Sequence, residues 1–561
     1  MTSRGAWAAL AALLLIVAAR VVVAPVDEFG DDGAAWAEHR ARVGWAVALD
    51  ERAGADEPAP FTQLLRDRAT GYPPGLHLAA ATTRAVIGDS ARAHELMGLG
   101  WLLLLAGSVA ALSHRLFGVG AFAGFAGTLM LPAFHAAAPR YYYDFPMVAA
   151  SWAAVAVLAW GMDRRASWVW GAAAGAAAVG ACLIKWTALP TALPLSLGVL
   201  LARTAARGPI RPLRRLAAGL AFAAVLMGGI SAFLSIVGPD NSLVAMLSDS
   251  RVAEATDGSL FGAVASSLTS FQPAAMPRAL FYLGSLIAVV LSPLGFLAVL
   301  VLLPRSRADL EPLRWPAWLL AASYFALLFL LVAPVDERFL LGLLPLVVLR
   351  AAVGWQQRSP TGRRHAAVFL FTAGLFVAAD VHHGPPAPWN APLTVRVLPG
   401  TVDTPALIPP VTFRGLSLGS SFERRGWARR DDLVSPPAGR EALWDWVNDC
   451  GAASLLLAPG QPLLSSRGDA AWFEYRAALD ALEGRVGPGI QSLECGGPPG
   501  AVALTRSAVA PCPGATRLTD GPAPPLVAWS LDGHTRCAAF GGAGDDEARD
   551  RLPAADPAPI D

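Results

Sequence analysis

Long apolar runs, separated by short polar loops, fill the first two thirds of this 561-residue sequence. A helix that crosses a bilayer needs about 20 mostly apolar residues, and 54% of the chain is hydrophobic against 16% charged. The pattern predicts an α-helical polytopic membrane protein with about 11 spans and excludes a soluble protein. We place these spans near residues 6–24, 94–114, 118–138, 145–162, 166–184, 187–202, 216–237, 277–303, 315–334, 338–354 and 365–382.

Arginines occur in alternate connections between these runs. Because positive residues are retained on the cytoplasmic side of a membrane, we expect the N-terminus inside and, after an odd number of spans, the C-terminal region outside. This describes a multi-pass protein of the bacterial cytoplasmic (inner) membrane with an extracytoplasmic C-terminal domain. Residues 5–24 also fit a cleaved signal peptide, but the arginine pattern favours a retained anchor. The arginines concerned are Arg4, Arg115, Arg164, Arg165, those between 203 and 215, Arg305, Arg307, Arg314, Arg358, Arg363 and Arg364.

The composition changes near residue 382, which predicts two domains. Residues 1–382 form the transmembrane domain, with a first outside loop at 25–93 that is long for a connector. Residues 383–561 are rich in Pro, Gly and charge and contain no run long enough to span a bilayer. A small α/β domain with a disordered end is expected there, with helices near 440–449 and 471–483 and strands near 453–458, 501–505 and 526–531.

The cysteines follow the predicted topology. Cys182 lies within a span and is expected to be a small buried hydrophobic residue. The others lie in the exported region, where an even number of cysteines in an oxidising compartment predicts two disulfides with three connectivities open. These disulfide candidates are Cys450, Cys495, Cys512 and Cys537.

Lys185 is the only lysine among the 44 Lys and Arg residues, and it lies in an apolar stretch. An ionisable residue at membrane depth is costly, and it indicates a functional site by default. The structural alternative is a lysine that snorkels from a helix end to the interface.

Acidic and cationic side chains recur in the loops that are predicted to lie outside. Each has an ordinary explanation. An acid can be a solvated loop residue or a carboxylate at a helix N-terminus, a cation can belong to an ion pair, and the neighbouring aromatic residues can belong to the interfacial belt. Acids together with cations on one face nevertheless indicate a site for a lipid-phosphate substrate. The candidate catalytic residues are Asp27, Glu28 and Asp144, and the candidate substrate-binding residues are Arg20, Tyr72, Arg140, Lys185 and Arg338.

Five motifs in order resemble membrane glycosyltransferases of the GT-C superfamily, particularly the protein O-mannosyltransferase and aminoarabinose-lipid A transferase branch. The resemblance covers roughly residues 6–355. Two positions depart from the family pattern, with Phe339 in place of a tyrosine and Gly30-Asp31-Asp32 after Phe29. The motifs are Asp27-Glu28, Tyr72-Pro73-Pro74-Gly75-Leu76 at an interfacial helix, Arg140 to Asp144-Phe145-Pro146, Ile184-Lys185-Trp186-Thr187 and Arg338-Phe339-Leu340.

The resemblance implies transfer of a sugar from a polyprenyl-phosphate donor to an acceptor at the outer face. In such an enzyme Asp27 would be the general base and Asp144 a supporting acid near the acceptor or a metal. Lys185 and Arg338 would bind the donor phosphate and neutralise the charge that develops on it.

Two other classes of protein stay open. A secondary transporter would place its polar residues at mid-membrane and show paired halves, whereas a non-catalytic membrane scaffold would leave Asp27 and Lys185 without a role. We expect a polyprenyl-phosphate sugar donor and membrane lipids as partners, and an acceptor that is protein, lipid or glycan. The net charge of +1 gives no overall field that would attract nucleic acid, so we expect no nucleic-acid partner. The sequence identifies no cofactor with certainty, and it leaves open whether a divalent metal takes part.

Overall fold

The structure is a computed structural model of the chain. The described residues are 33–69, 72–119, 121–129, 131–138, 141–202, 212–238, 282, 286, 291–304, 306, 308–328, 337–363, 392–395, 411–414, 417–419, 437–450, 452, 454–457, 469–483, 485, 488–492, 501–505, 511–512, 515–520 and 527–530.

Apolar helices make up most of the described chain, which confirms the predicted α-helical polytopic membrane architecture. Three short 3-10 helices, at Trp186–Ala188, Ala308–Leu313 and Glu337–Leu343, interrupt them. The α-helices before residue 360 are α1 (Gly33–Gly54), α2 (Phe61–Arg68), α3 (Gly75–Ile87), α4 (Ala91–Phe117), α5 (Ala121–Leu129), α6 (Pro132–Ala137), α7 (Asp144–Gly161), α8 (Ser167–Ile184), α9 (Leu189–Leu201), α10 (Pro212–Val237), α11 (Ser292–Val301), α12 (Arg314–Ala326) and α13 (Leu344–Gln356).

Five of the described helical segments are long and apolar enough to cross a membrane. The expected number of about 11 spans stays a prediction, because the segments near 6–24 and 365–382 lie outside the described residues. The expected single span at 118–138 differs from the structure, which has the two short helices α5 and α6 there. Pro132 begins the second of them, since a proline is tolerated in the first turn of a helix but not in its interior. The five segments are Leu96–Phe117, Asp144–Gly161, Ser167–Ile184, Pro212–Val237 and Arg338–Gln356.

Helix α7 is the most buried of the candidate spans, with 78% of its 18 residues inside the structure. It packs against α4, α8 and α9. The indole Nε1 of Trp152 donates a hydrogen bond to the carbonyl oxygen of Gly342, 3.1 Å away, which joins α7 to the turn that carries Arg338. Helices α8 and α10 approach closely because Gly171 and Gly175 face the backbone of α10, as small residues allow in membrane helix pairs.

The chain divides into two compact units, residues 1–26 with 48–429, and residues 27–47 with 430–561. The second contains helices α14 (Pro437–Asp449) and α15 (Asp469–Leu482), joined by a 2.7 Å hydrogen bond from Trp444 Nε1 to Asp480 Oδ2. Residues 33–47 of α1 belong to it too, and there Arg40 pairs with Glu474 and Arg42 lies over the Tyr475 ring.

The strands form two sheets. One is antiparallel with the order β1-β2-β3, and the other has the order β5-β4-β6-β8-β7, in which β4 runs parallel to both of its neighbours. The expected strands near 453–458, 501–505 and 526–531 fall on β4, β6 and β8. The strands are β1 (Pro392–Val395), β2 (Val411–Arg414), β3 (Ser417–Gly419), β4 (Ser454–Leu457), β5 (Gly489–Ser492), β6 (Ala501–Thr505), β7 (Thr516–Asp520) and β8 (Val527–Ser530).

The cysteines are partly described. Cys182 is buried and free, as expected for its span. Cys450 and Cys512 are each engaged in a disulfide, whereas Cys495 and Cys537 lie outside the described residues. The two-disulfide arrangement and its connectivity therefore stay a prediction.

The contact between α8 and α10 provides a stability test with a control on the same helix. A methyl group at Gly171 would overlap the carbonyl oxygen of Ala218, whereas a methyl group at Gly180 would meet nothing within 4 Å. We expect Gly171→Ala to destabilise the protein by about 1–3 kcal/mol, because overpacking forces the helices apart. Gly180→Ala should leave the thermal unfolding temperature in detergent unchanged. Equal unfolding temperatures for the two variants would contradict this helix pairing.

Candidate functional site

Four sequence-predicted site residues meet at one end of the helical domain. Asp144 is the first residue of α7, and Lys185 follows the last residue of α8. Arg338 lies in the 3-10 turn before α13, and Tyr72 lies just before α3. They converge because each lies at a helix end or in a turn, where loops that are distant in the sequence come together.

The break at Lys185 has a local cause. Its backbone is extended (φ −156°, ψ 135°), so α8 ends there and the Trp186–Ala188 turn begins. Helix α3 approaches this break closely, since a Cβ at Gly75 would lie 2.6 Å from the carbonyl oxygen of Leu183. Glycine at position 75 therefore allows the Tyr72 loop to reach the lysine.

A buried ion pair forms the centre of the site. Lys185 Nζ donates a hydrogen bond to Asp144 Oδ1 at 2.7 Å, and Arg338 Nε lies 3.8 Å from Asp144 Oδ2. Asp144 is 2% exposed and Lys185 6% exposed. A charge this deeply buried is tolerated only when it is paired. Asp144 therefore holds Lys185 in place, and its position at the start of a helix also favours its negative charge.

Aromatic rings surround the two cations. The Lys185 ammonium lies 5.7–5.9 Å from the ring centres of Tyr72, Tyr142 and Phe339. Arg338 lies over the last two of these rings, and its Nη1 donates a hydrogen bond to the Tyr142 hydroxyl at 2.7 Å. Tyr72 is 48% exposed, so the cage opens to the surface at this ring. The arrangement can hold a small anion against a desolvated cation.

His77 is a site residue that the sequence analysis missed. It is 4% exposed, and its two ring nitrogens each lie 2.8 Å from a tyrosine hydroxyl, Nδ1 from Tyr141 and Nε2 from Tyr143. The Tyr143 ring stacks on Tyr72 with 4.7 Å between centroids. His77 thus fixes the tyrosines that lead into Asp144. The available signal in the sequence is its place one helical turn after Tyr72-Pro73-Pro74, although an interfacial aromatic belt would also explain the tyrosines.

A second polar group stabilises the same loop region. His94 Nε2 lies 3.1 Å from Asp89 Oδ1, and the His94 ring meets Tyr141 edge-on. Arg84 contacts Asp89 at 3.1 Å and forms a two-pronged ion pair with Asp50. The hydrogen bonds that Arg84 donates to the Asp50 carboxylate raise the pKa of its guanidinium above the usual value. The predicted interfacial helix, now α3, is therefore held at both ends.

The other candidate residues cannot be placed. Arg20, Asp27, Glu28 and Arg140 lie outside the described residues, so their roles stay predictions. In the part of the chain that the structure describes, no group of three His, Cys, Asp or Glu side chains is arranged to hold a metal ion. Thr187, which follows the lysine motif, has a buried hydroxyl with no hydrogen-bond partner among the described residues.

The helical domain, with this site at its helix ends, shares its overall fold with a membrane protein of known structure. It is similar to the crystal structures of ArnT from Cupriavidus metallidurans in the apo state and bound to undecaprenyl phosphate. Each comparison has 15% identity and covers 94% of this chain and 98% of that chain, with TM-scores of 0.51 and 0.50 respectively. Neither a protein-family model nor a curated protein sequence matches the chain. The likeness establishes the fold.

The two hydrogen bonds between His77 and the tyrosines, here called the histidine clamp, should contribute to stability. His77→Phe keeps a ring of similar size but removes both hydrogen bonds, which should cost about 1 kcal/mol or more for each bond lost. Thr83→Ala on the same helix is the control, because it removes only a bond to the helix's own Ala79 carbonyl. Thermal unfolding in detergent should show a clearly lower temperature for His77→Phe. Equal unfolding temperatures for the two variants would exclude the clamp.

Proposed function

We propose that the protein is an integral-membrane glycosyltransferase, which moves a sugar from a polyprenyl-phosphate-linked donor to an acceptor at the outer face of the cytoplasmic membrane. The observation that carries the proposal is the convergence of Lys185 and Arg338 on Asp144 inside an aromatic cage. The GT-C-like fold supports it.

The cage suits the phosphate of a lipid carrier. A lysine ammonium has three N–H donors, and in the described part of the chain Lys185 uses one of them, toward Asp144. A phosphate that enters past Tyr72 would accept from the others in a site already cleared of water. The ArnT structure that binds undecaprenyl phosphate supports this class of carrier.

The reaction follows from these charges. The acceptor oxygen or nitrogen forms a bond to the anomeric carbon as the bond from that carbon to the phosphate oxygen breaks. The acceptor proton passes to the carboxylate of Asp27, the proposed general base, and Glu28 lies next to it in the sequence. The negative charge that builds up on the departing phosphate is stabilised by Lys185 and Arg338.

Asp144 is better suited to positioning Lys185 than to binding a metal. Two cations face its carboxylate, and they oppose a divalent ion at the same oxygens. We therefore assign Asp144 as a positioning residue for Lys185.

The membrane orientation is supported by the second compact unit. Residues 33–47, which follow the first predicted span, pack in that unit with α15 of the C-terminal region. A helix of the first loop and the tail therefore share one side of the membrane, as the extracytoplasmic assignment requires. The placement of the ion pair at helix ends rather than at mid-membrane favours a transferase over a transporter.

The phosphate role of Lys185 is tested with undecaprenyl phosphate itself as the ligand. Lys185→Met should weaken its binding about tenfold or more, because a charge-assisted hydrogen bond is worth about 1.5–3 kcal/mol. Lys185→Arg should restore binding only in part, because its planar head is bulkier. Affinity is measured for purified protein in detergent.

A double variant separates binding from folding. Removing Lys185 alone leaves Asp144 buried beside one cation fewer, which itself destabilises the protein. Asp144→Asn combined with Lys185→Met removes the charge pair together, so the fold should recover while the affinity stays low. If all these variants bind as tightly as the wild type, Lys185 has no part in phosphate recognition.

The base assignment predicts a loss of turnover without a loss of binding. Asp27→Asn keeps the shape of the side chain but cannot accept a proton, so transfer should fall about 100-fold or more. Binding of undecaprenyl phosphate should stay unchanged. Asp31→Asn in the same loop is the matched control and should retain activity. Turnover is followed by mass spectrometry, as the loss of sugar from lipid-linked donors in membranes of the expressing cells. Normal turnover in Asp27→Asn would overturn this assignment and move the role to Glu28, the neighbouring carboxylate.

A further inference from the structure

We propose a second binding site, for a phosphate-bearing anion, at the opposite end of the same helices. A pocket of about 340 Å³ opens there, lined by His114, Arg115, Trp160, Asp163 and Arg164. The ligand class is the phosphodiester head group of an acidic membrane lipid. This inference does not depend on the proposed transferase function.

The position of the pocket follows from the lengths of two helices. Helix α7 begins at Asp144 and ends at Gly161, beside the pocket, and its 18 residues extend about 27 Å. Helix α8 returns from Ser167, beside Arg164, to Lys185 at the other site. Because a bilayer core is about 30 Å thick, the two sites lie at opposite membrane faces. The pocket is thus on the cytoplasmic side when the Lys185 cage faces outward.

The pocket carries excess positive charge. The Asp163 carboxylate pairs with Arg115 at 2.7 Å and with Arg215 at 2.9 Å. Arg214 donates to the backbone oxygen of the same residue at 3.1 Å. Together with Arg164, four arginines gather around one carboxylate among the described residues of this cluster. An added anion would reduce their mutual repulsion.

Arg164 is the pre-organised member of the cluster. Its guanidinium lies 5.5 Å from the Trp160 ring centre and 5.0 Å from that of Trp170. In the described part of the chain it has no carboxylate partner, and its side chain is exposed. Stacking on indole rings leaves the in-plane N–H donors of a guanidinium available, which suits two oxygens of one phosphate.

The surroundings favour a lipid over a free phosphate. Helix α10 begins at the pocket through Arg215, and it exposes Leu213, Leu216 and Leu220 along one side. The exposed Trp168 lies in the first turn of the neighbouring helix α8, where an indole would mark the membrane interface. A lipid with its phosphate on Arg164 could lay its chains against these leucines. Acidic lipids of the cytoplasmic leaflet bind basic pockets between spans in this way.

The test uses two adjacent arginines that carry the same charge. Purified, delipidated protein is titrated with phosphatidylglycerol or phosphatidylcholine, and bound lipid is counted by native mass spectrometry. We expect the wild type to prefer phosphatidylglycerol. Arg164→Gln should weaken that binding about tenfold, the size of one charge-assisted contact. Arg165→Gln removes the same charge one residue away, outside the pocket, and should bind as the wild type does.

Three other outcomes would contradict the proposal in whole or in part. Equal losses in both variants would mean diffuse surface charge, and no loss in Arg164→Gln would mean that the pocket is not the site; either result overturns it. Displacement of the lipid by millimolar inorganic phosphate would support the anion site but overturn a lipid as its occupant. Both side chains are exposed, so we expect the two variants to unfold at the same temperature. Equal unfolding temperatures exclude a folding defect as the cause of weaker lipid binding.

Discussion

The Lys185–Asp144 ion pair is the interaction on which the arrangement of the helix ends around the site depends. A buried ammonium is stable only beside a carboxylate, so α8 must end where α7 begins. Aromatic rings, rather than water, then fill the remaining space around the cation. The same desolvation that makes the pair costly would strengthen the attraction between the cations and the phosphate of the proposed donor.

The opposite ends of these helices have a different arrangement of charges. There Arg164 is exposed, while Asp163 accepts from Arg115 of α4 and from the buried Arg215 of α10. Its single carboxylate orders the loops but does not neutralise them. The two ends of α7 thus differ in a way that matches membrane orientation, with a shielded charge pair at one face and excess exposed positive charge at the other.

Part of the site follows from residue types alone. Lys185, Asp144, Arg338 and Tyr72 could be selected because charged or aromatic residues at the ends of apolar runs need a partner, and the structure brings all four together. The position of His77 after Tyr72-Pro73-Pro74 was too weak a signal to select it, because a histidine in a short amphipathic helix has many ordinary roles. Its significance depends on two tyrosine hydroxyls that lie more than sixty residues away.

The sequence by itself determined the helical membrane class, because hydrophobic run length and arginine placement are local properties. The first has to match the thickness of the bilayer, and the second sets the orientation of the spans. It also indicated which polar residues face one side. The tertiary structure decided the partners. It assigned Asp144 to Lys185, divided the 118–138 run at Pro132, and placed residues 33–47 in the unit that contains the tail. These outcomes depend on packing between segments far apart in the chain, which no local pattern encodes.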